Sequence, residues 1–278
     1  MSDLTRALIA GVVLLVVGGS AYLWWHERQA TGAPPASTST AAVVEPAAPA
    51  AAPVHHAVEA ITAPPDVPPL PPLTDSGSEL SDALTALLGR QQVLSFVDLS
   101  DFPRRVVATV DNLARAHAAS RLWPVVRTPG RFEVSERDGA TVIADANADR
   151  YSAFVRFVSA IDSDAAVALY VRMYPLLQQA YVQLGYPGKY FNNRLVEVID
   201  QLLATPEVKE PVRLTLTEVK GPHEVPRPWV RYEYADPALE ALPAGQKILL
   251  RIGPENARQL KAWLREFRQR VAGNAVAG

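Results

Sequence analysis

Six residues that could bind a ligand lie close together in the middle of the chain, around a Gly-Tyr-Pro-Gly turn that leads into a predicted helix. They are Tyr186, Lys189, Tyr190, Asn192, Asn193 and Arg194. At the start of a helix, free N–H groups and the helix dipole favour an anion or the carboxylate of a partner. The six residues are therefore a candidate binding site, with helix capping as the default role for Asn192 or Asn193.

Two carboxylates follow on the same predicted helix. Glu197 and Asp200 lie three residues apart, and this spacing places them on one helix face, where a carboxylate pair can perform acid–base chemistry. Arg194 lies three residues before Glu197, so a surface ion pair between these two is the favoured interpretation. An enzyme that uses the carboxylate pair is kept as an alternative.

The sequence lacks the other motifs by which chemistry is usually recognised. It contains no cysteine, and the only histidines after residue 73 are His117 and His223, far apart along the chain. No paired metal-ligand spacing, glycine-rich phosphate loop or Gly-x-Ser-x-Gly turn is present. A formal net charge of -2 gives no attraction to nucleic acid. We therefore predict no cofactor, no metal and no nucleic-acid partner, and we find no catalytic motif.

The helices that must position the candidate site are predicted from hydrophobic spacing. Residues 163–185 are apolar almost all round, which indicates a central core helix, and Pro175 predicts a kink or the start of a second helix. Residues 189–204 form the next predicted helix, with Phe191 and Leu195 facing the core. The aromatic residues of this stretch are thus explained mainly by packing.

The remaining pattern predicts a mainly α fold with two small β-hairpins, a minor α+β component. Further helices are predicted at 78–89, 102–116, 148–161 and 254–271, with Asp101 as the N-cap of the second. "RFEVSERDGATVIAD" predicts one hairpin, and "PVRLTLTEVK" with "RPWVRYEYAD" predicts the other. In the last helix four cations are predicted to point away from the apolar side: Arg258, Lys261, Arg265 and Arg268.

The first residues of the chain predict a transmembrane helix. Residues 7–25 contain no charge, and at 1.5 Å rise per residue they span about 28 Å, close to the thickness of a bilayer core. The run ends in Tyr22, Trp24 and Trp25, which favours an uncleaved anchor with aromatic residues at the interface over a cleaved signal peptide. Residues 1–6 are then the cytoplasmic N-terminus.

A spacer separates this anchor from the folded domain. Residues 26–73 are rich in Ala and Pro, with 11 prolines between positions 31 and 73, a composition typical of a disordered, extended linker. The folded domain is predicted at 74–273 and a flexible tail at 274–278. This layout predicts a single-pass inner-membrane protein whose domain lies in the periplasm, with a cytoplasmic domain on a long tether as the alternative.

Several runs of the sequence resemble a known family. They are "VATVDNL" followed by "RLWP", then "ALYVRMYPLLQQAYVQLGYPGKYFNNRLVEVIDQLLATP" and "RYEYADPALEALPAGQKILLRIGPENA". Together with the anchor and spacer they resemble the uncharacterised bacterial family catalogued as domain of unknown function 3014, from about residue 80 to residue 264. The resemblance implies a single-span envelope protein, and it implies no activity and no catalytic or binding residues.

Three functional hypotheses from different classes follow. The first is a non-enzymatic binding or scaffolding domain that contacts another envelope protein. The second is a cell-wall or glycan-binding module, and the third is an envelope enzyme with a carboxylate pair. A flat apolar patch would favour the first, an exposed row of rings the second, and a cleft with convergent carboxylates the third.

Overall fold

The structure, a computed structural model, describes residues 53–61, 77–208, 211–217 and 228–273. The described chain is mainly helical, with α1 Gly77–Leu88, α2 Arg90–Phe96, α3 Phe102–Leu113, α4 Ala146–Ser159, α5 Ser163–Gln183, α6 Phe191–Leu203, α7 Pro237–Glu240, α8 Ala244–Arg251 and α9 Pro254–Val271. Two antiparallel strand pairs accompany the helices, namely β1 Val134–Arg137 with β2 Ala140–Ile143 and β3 Leu214–Leu216 with β4 Tyr232–Tyr234. The prediction of a mainly helical domain with two small hairpins is confirmed.

Helix α5 lies at the centre of the main hydrophobic core. It packs against α3 and α9, and it buries side chains on several faces, among them Val167, Leu176 and Leu177. The helix runs unbroken through Pro175, so the alternative that a second helix starts there is wrong. Proline removes one N–H donor from the helix, and the packing on both sides of Pro175 holds the remaining turns in place.

Helix α9 packs against four other helices. It packs against α4, α5, α6 and α8, and its Phe267 ring stacks on Trp263 at 5.1 Å between ring centroids. Arg258 and Arg265 are exposed, as the helical pattern predicted. Lys261, however, is buried, which corrects its predicted outward orientation, because α9 packs against the end of α6 at this point.

The first hairpin follows the predicted turn. Asp138 and Gly139 have φ angles of 51° and 71°, and two consecutive positive values are what a two-residue type I′ turn requires. The second hairpin pairs Leu214 with Tyr234, and a bridge between Val142 and Arg213 joins the two hairpins. A small separate cluster of Val212, Leu214 and Tyr234 packs under these strands.

Three short helices, α2, α7 and α8, are absent from the predicted pattern. Helix α8 approaches its neighbours so closely at Gly245 that a Cβ there would stand 2.6 Å from Leu202 and 3.1 Å from the Leu113 carbonyl oxygen. Asp101 precedes α3 as predicted, but its side chain makes no capping hydrogen bond and pairs with Arg104 at 2.9 Å instead. The position of α8 thus depends on tertiary neighbours, whereas the Asp101–Arg104 pair is a local contact between residues three apart.

Residues 53–61, here called the strap, correct the predicted extent of the spacer. The sequence assigned all of 26–73 to a disordered linker, yet the strap lies on the domain with a short 3₁₀ turn at Val58–Ala60. Val58 and Ile61 are buried in the main core, and the His56 ring donates to the Ala272 carbonyl oxygen at 3.0 Å. Val58 and Ile61, three residues apart, thus add this segment to the core.

Among the helices that the structure describes, none is long and apolar enough to cross a membrane. The predicted transmembrane helix at residues 7–25, the rest of the predicted spacer and the predicted tail at 274–278 lie outside the described residues.

The packing of the strap can be tested with two valines. In a chain that begins at Ala51, Val58→Ala is expected to lower the free energy of unfolding by about 2 kcal/mol, because two buried methyl groups are lost and a cavity remains. Val54, which is 47% exposed, is the matched control, and Val54→Ala is expected to stay within about 0.5 kcal/mol of the parent. Denaturant unfolding measures both variants. Equal stability of Val58→Ala and Val54→Ala would show that the strap does not pack as described.

Candidate functional site

Five of the six predicted site residues line one pocket. It has a volume of about 300 Å³ and lies where the turn after α5 enters α6. Its lining comprises the five predicted residues Tyr186, Lys189, Tyr190, Asn193 and Arg194 together with Pro53, His55, Asp111, Tyr181 and Glu197. The sixth predicted residue, Asn192, does not line it, because its side chain points into the core and is fully buried.

The carboxylate of Asp111 lies at the base of this pocket. Its side chain is only 4% exposed, and two arginines neutralise it, Arg115 at 2.5 Å and Arg194 at 3.1 Å. Arg194 also donates to the Asp111 backbone oxygen, and the Tyr186 hydroxyl donates to the same carboxylate at 3.1 Å. These donors satisfy the buried carboxylate, tie α3 to α6 and fix the orientation of Arg194.

The aromatic side of the pocket is built by two tyrosines. The rings of Tyr181 and Tyr186 stack with their centroids 4.5 Å apart, and the Lys189 ammonium lies 5.4 Å from the Tyr186 ring centroid. Burial raises the pKa of the Tyr181 phenol, the nearby Arg194 opposes this, and Asp111 adds to it. The phenol therefore stays protonated at neutral pH and offers a neutral donor.

The start of α6 is only partly available to a ligand. Gln178 of α5 accepts the Phe191 N–H at 2.8 Å and donates to the Lys189 carbonyl oxygen at 2.7 Å. Tyr190 occupies the N-cap position and makes no capping hydrogen bond from its side chain. The Phe191 N–H, one of the helix-start donors that the sequence suggested for an anion, is thus already bonded to Gln178 of α5. The pocket is lined by side chains instead.

Neither asparagine caps α6. The Asn192 side chain accepts from the Tyr170 hydroxyl at 2.8 Å and donates to the carbonyl oxygens of Val271 at 2.9 Å and His56 at 3.1 Å. Asn193 accepts the His56 N–H and donates to the Pro53 carbonyl oxygen, both at 3.0 Å. The two amides hold the strap on the domain, so the capping interpretation is wrong.

The two carboxylates proposed for acid–base chemistry are each bound to an arginine. Glu197 pairs with Arg194 at 2.9 Å, which confirms the predicted surface ion pair, and Asp200 pairs with Arg268 of α9. Both carboxylates are exposed. Each carboxylate is therefore the solvent-exposed member of an ion pair.

Asp111 was not predicted from the sequence, although its position on α3 indicates that it is buried. Asp111 lies four residues after Val107, a residue of the predicted apolar stripe of α3, and so falls on the buried face of that helix. A carboxylate on an apolar face needs a partner inside the protein, and Arg194 provides it. The place of Pro53 and His55 in the pocket could not be predicted, because the composition of a Pro/Ala-rich segment does not indicate that it packs against the domain.

A mainly helical domain with a polar pocket at a helix junction is the class that the fold and site define. Residues 102–268 match the family described as protein of unknown function (DUF3014), and since this match covers more than half of the chain, the protein belongs to that family. The matched region runs from α3 into α9, so it contains Asp111 and the turn before α6 but not the strap. No curated protein and no solved structure matches the chain significantly.

The dependence of Asp111 on Arg194 gives a test of the pocket's architecture. Arg194→Ala is expected to lower the free energy of unfolding by about 2–4 kcal/mol, because it leaves a buried carboxylate with a single, half-exposed arginine. Glu197→Ala is the matched control, since it removes the exposed partner of the same arginine, and it is expected to cost at most about 0.5 kcal/mol.

A double-mutant cycle with Asp111→Ala isolates the pair, and a coupling of at least about 1 kcal/mol between positions 111 and 194 is expected. If Arg194→Ala and Glu197→Ala unfold at the same denaturant concentration, the buried ion pair does not organise the site.

Proposed function

We propose that the protein is a single-pass inner-membrane protein of the cell envelope, anchored by residues 7–25, whose domain in the periplasm is a non-enzymatic binding domain for another envelope protein. The uncharged N-terminal run supports the anchor, and the slight excess of positive charge before it together with the Pro/Ala spacer supports the periplasmic orientation. The pocket formed by Asp111 and the turn before α6 is the proposed contact site.

The state of the charges in this pocket supports a binding role. Asp111 and Glu197 are already paired with arginines, whereas Lys189 is exposed and forms no ion pair with any described residue. Its ammonium lies over the half-buried Tyr186 ring, and the half-buried Tyr190 lines the same pocket. A cation over an aromatic ring, just before a helix start, suits a carboxylate from a partner, with the tyrosine rings covering the apolar part of that side chain.

A second surface supports a protein as the partner. Leu94 is 68% exposed and Val126 is 47% exposed, and both border a groove of about 560 Å³ between α2 and the segment that follows α3. Large apolar side chains exposed beside a groove favour protein contact. Of the rings that line the pocket, Tyr181 is buried and Tyr186 and Tyr190 are half-buried, so they do not form an exposed row that would support the cell-wall and glycan-binding alternative. The carboxylates are each paired with an arginine, so the carboxylate-pair enzyme gains no support here.

The proposed orientation predicts where the C-terminus lies. A reporter enzyme that is active only after export, fused after Gly278, is expected to be active in cells. The same reporter fused to a chain without residues 1–25 is expected to be inactive, because the export signal is lost. Activity instead of a reporter that functions only in the cytoplasm would reverse the topology.

The proposed contact site predicts a charge-dependent complex. A photo-crosslinking residue at position 197, which is exposed and lines the pocket, is expected to capture one dominant envelope protein in cells. Lys189→Glu is expected to lower the yield of that product at least about tenfold, because it sets like charges against each other, whereas Lys189→Arg keeps it.

Arg258→Glu is the matched control for this experiment. Arg258 is an exposed cation on α9 that lies outside the pocket of Asp111, so the yield of the product is expected to stay unchanged. Melting curves of all variants show whether each is folded. A stable Lys189→Glu protein that still gives the full product would exclude this pocket as the contact site.

A further inference from the structure

A buried lysine lines a separate pocket beyond the other end of α6. Lys261 of α9 is only 7% exposed, and its ammonium donates to the Thr205 carbonyl oxygen at 2.5 Å, just beyond the end of α6. An ammonium group carries three N–H donors, so one carbonyl leaves two of them to be satisfied. Among the described residues, no carboxylate lies within ion-pair distance of Lys261.

The surroundings of this ammonium are mostly apolar. Lys261 lines a pocket of about 300 Å³ whose walls include Val208, Val212, Leu249, Leu250 and Ala257. This volume is at the lower end of the range of about 300–1,000 Å³ found for ligand pockets, which suits a short ligand. A buried cation that lines a mostly apolar pocket is complementary to a molecule with one anionic end and a short hydrocarbon body.

Two further charges border the pocket. Arg258 is exposed at its rim and pairs with Glu255, and Glu207 is exposed on the segment that follows α6. Burial lowers the pKa of Lys261, the Glu207 carboxylate raises it, and Arg265 lowers it further. Among the described residues of the lining, Glu207 is the one anion, and it would compete with the anionic group of a ligand for the ammonium.

A purely structural role explains part of this geometry. A cation near the end of a helix stabilises the last carbonyl groups and the negative end of the dipole, and Lys261 does this for α6. That role needs neither the adjoining apolar cavity nor the N–H donors that remain. A methionine would fill the same buried space without the cost of burying a charge.

We propose that this pocket binds a short aliphatic monocarboxylate, with the ligand carboxylate accepting from the Lys261 ammonium and the hydrocarbon chain lying against Val212 and Leu249. The ammonium then has a charged acceptor in addition to the Thr205 carbonyl oxygen, and the apolar walls lose contact with water. This site is independent of the pocket formed by Asp111.

Equilibrium dialysis of the full chain with labelled hexanoate tests the proposal. Hexanoate is expected to bind saturably, one per chain, at concentrations up to about 10 mM. Lys261→Met is expected to bind at least about tenfold more weakly, because the charge-assisted hydrogen bond is lost. Hexylamine and hexanol, which have the same chain length without the carboxylate, are expected not to compete.

Two further variants make the test decisive. Arg90→Met removes an exposed cation of α2 that lines neither this pocket nor the pocket of Asp111, and it is expected to leave hexanoate binding unchanged. Glu207→Gln is expected to tighten binding several-fold, because the competing anion of the lining is removed. Binding by Lys261→Met equal to that of the parent, competition by hexylamine, or no saturable binding would each overturn the proposal. Should Lys261→Met fail to fold, an unchanged affinity in Glu207→Gln would overturn it by itself.

Discussion

The amide of Asn192 is the interaction on which the arrangement of the core depends most. It is fully buried, and its two N–H donors and its oxygen bind three distant parts of the chain: Tyr170 of α5, Val271 at the end of α9 and His56 of the strap. An unpaired amide in an apolar core would cost several kcal/mol, so the three partners must be in place together. A hydrophobic residue at this position could fill the space but could not specify which carbonyl groups meet there.

Asp111 has the corresponding role on the other side of the α6 start. Asn192 and Arg194 are two residues apart on one helix, so they point in different directions, one to the core and the other to the carboxylate on α3. Because both connections are made in the first turn of α6, this turn is positioned by α3, α5, α9 and the strap at once. The side chains that remain exposed there, above all Lys189, therefore stand on a rigid base, and this is the property that a binding site needs.

Local sequence signals account for the long helices and for the first hairpin. The spacing of apolar residues over α5, α6 and α9 is long enough to be unambiguous, and Asp138 with Gly139 specifies a type I′ turn by itself. The short helix α8 could not be inferred in this way, since its position depends on the close approach of Gly245 to α3 and α6. For the same reason Lys261 was predicted on the outward side of its helix and Asn192 was predicted to bind a ligand or cap a helix. Polar residues are buried only where a distant partner receives them, and that partner is not visible in local spacing.

The strap was missed because an average composition says little about two particular residues. Val58 and Ile61 dock although the segment around them is rich in alanine and proline, and Asn192 and Asn193 supply the hydrogen bonds that a short segment cannot form within itself. Pro53 and His55 of the strap line the same pocket as Lys189 and Tyr190. The pocket is therefore complete only while the strap is docked, so a ligand that contacts both sides must stabilise the docked strap by its own binding free energy. The strap and the candidate site before α6 are consequently coupled. Anything that detaches the strap removes part of the wall of this pocket.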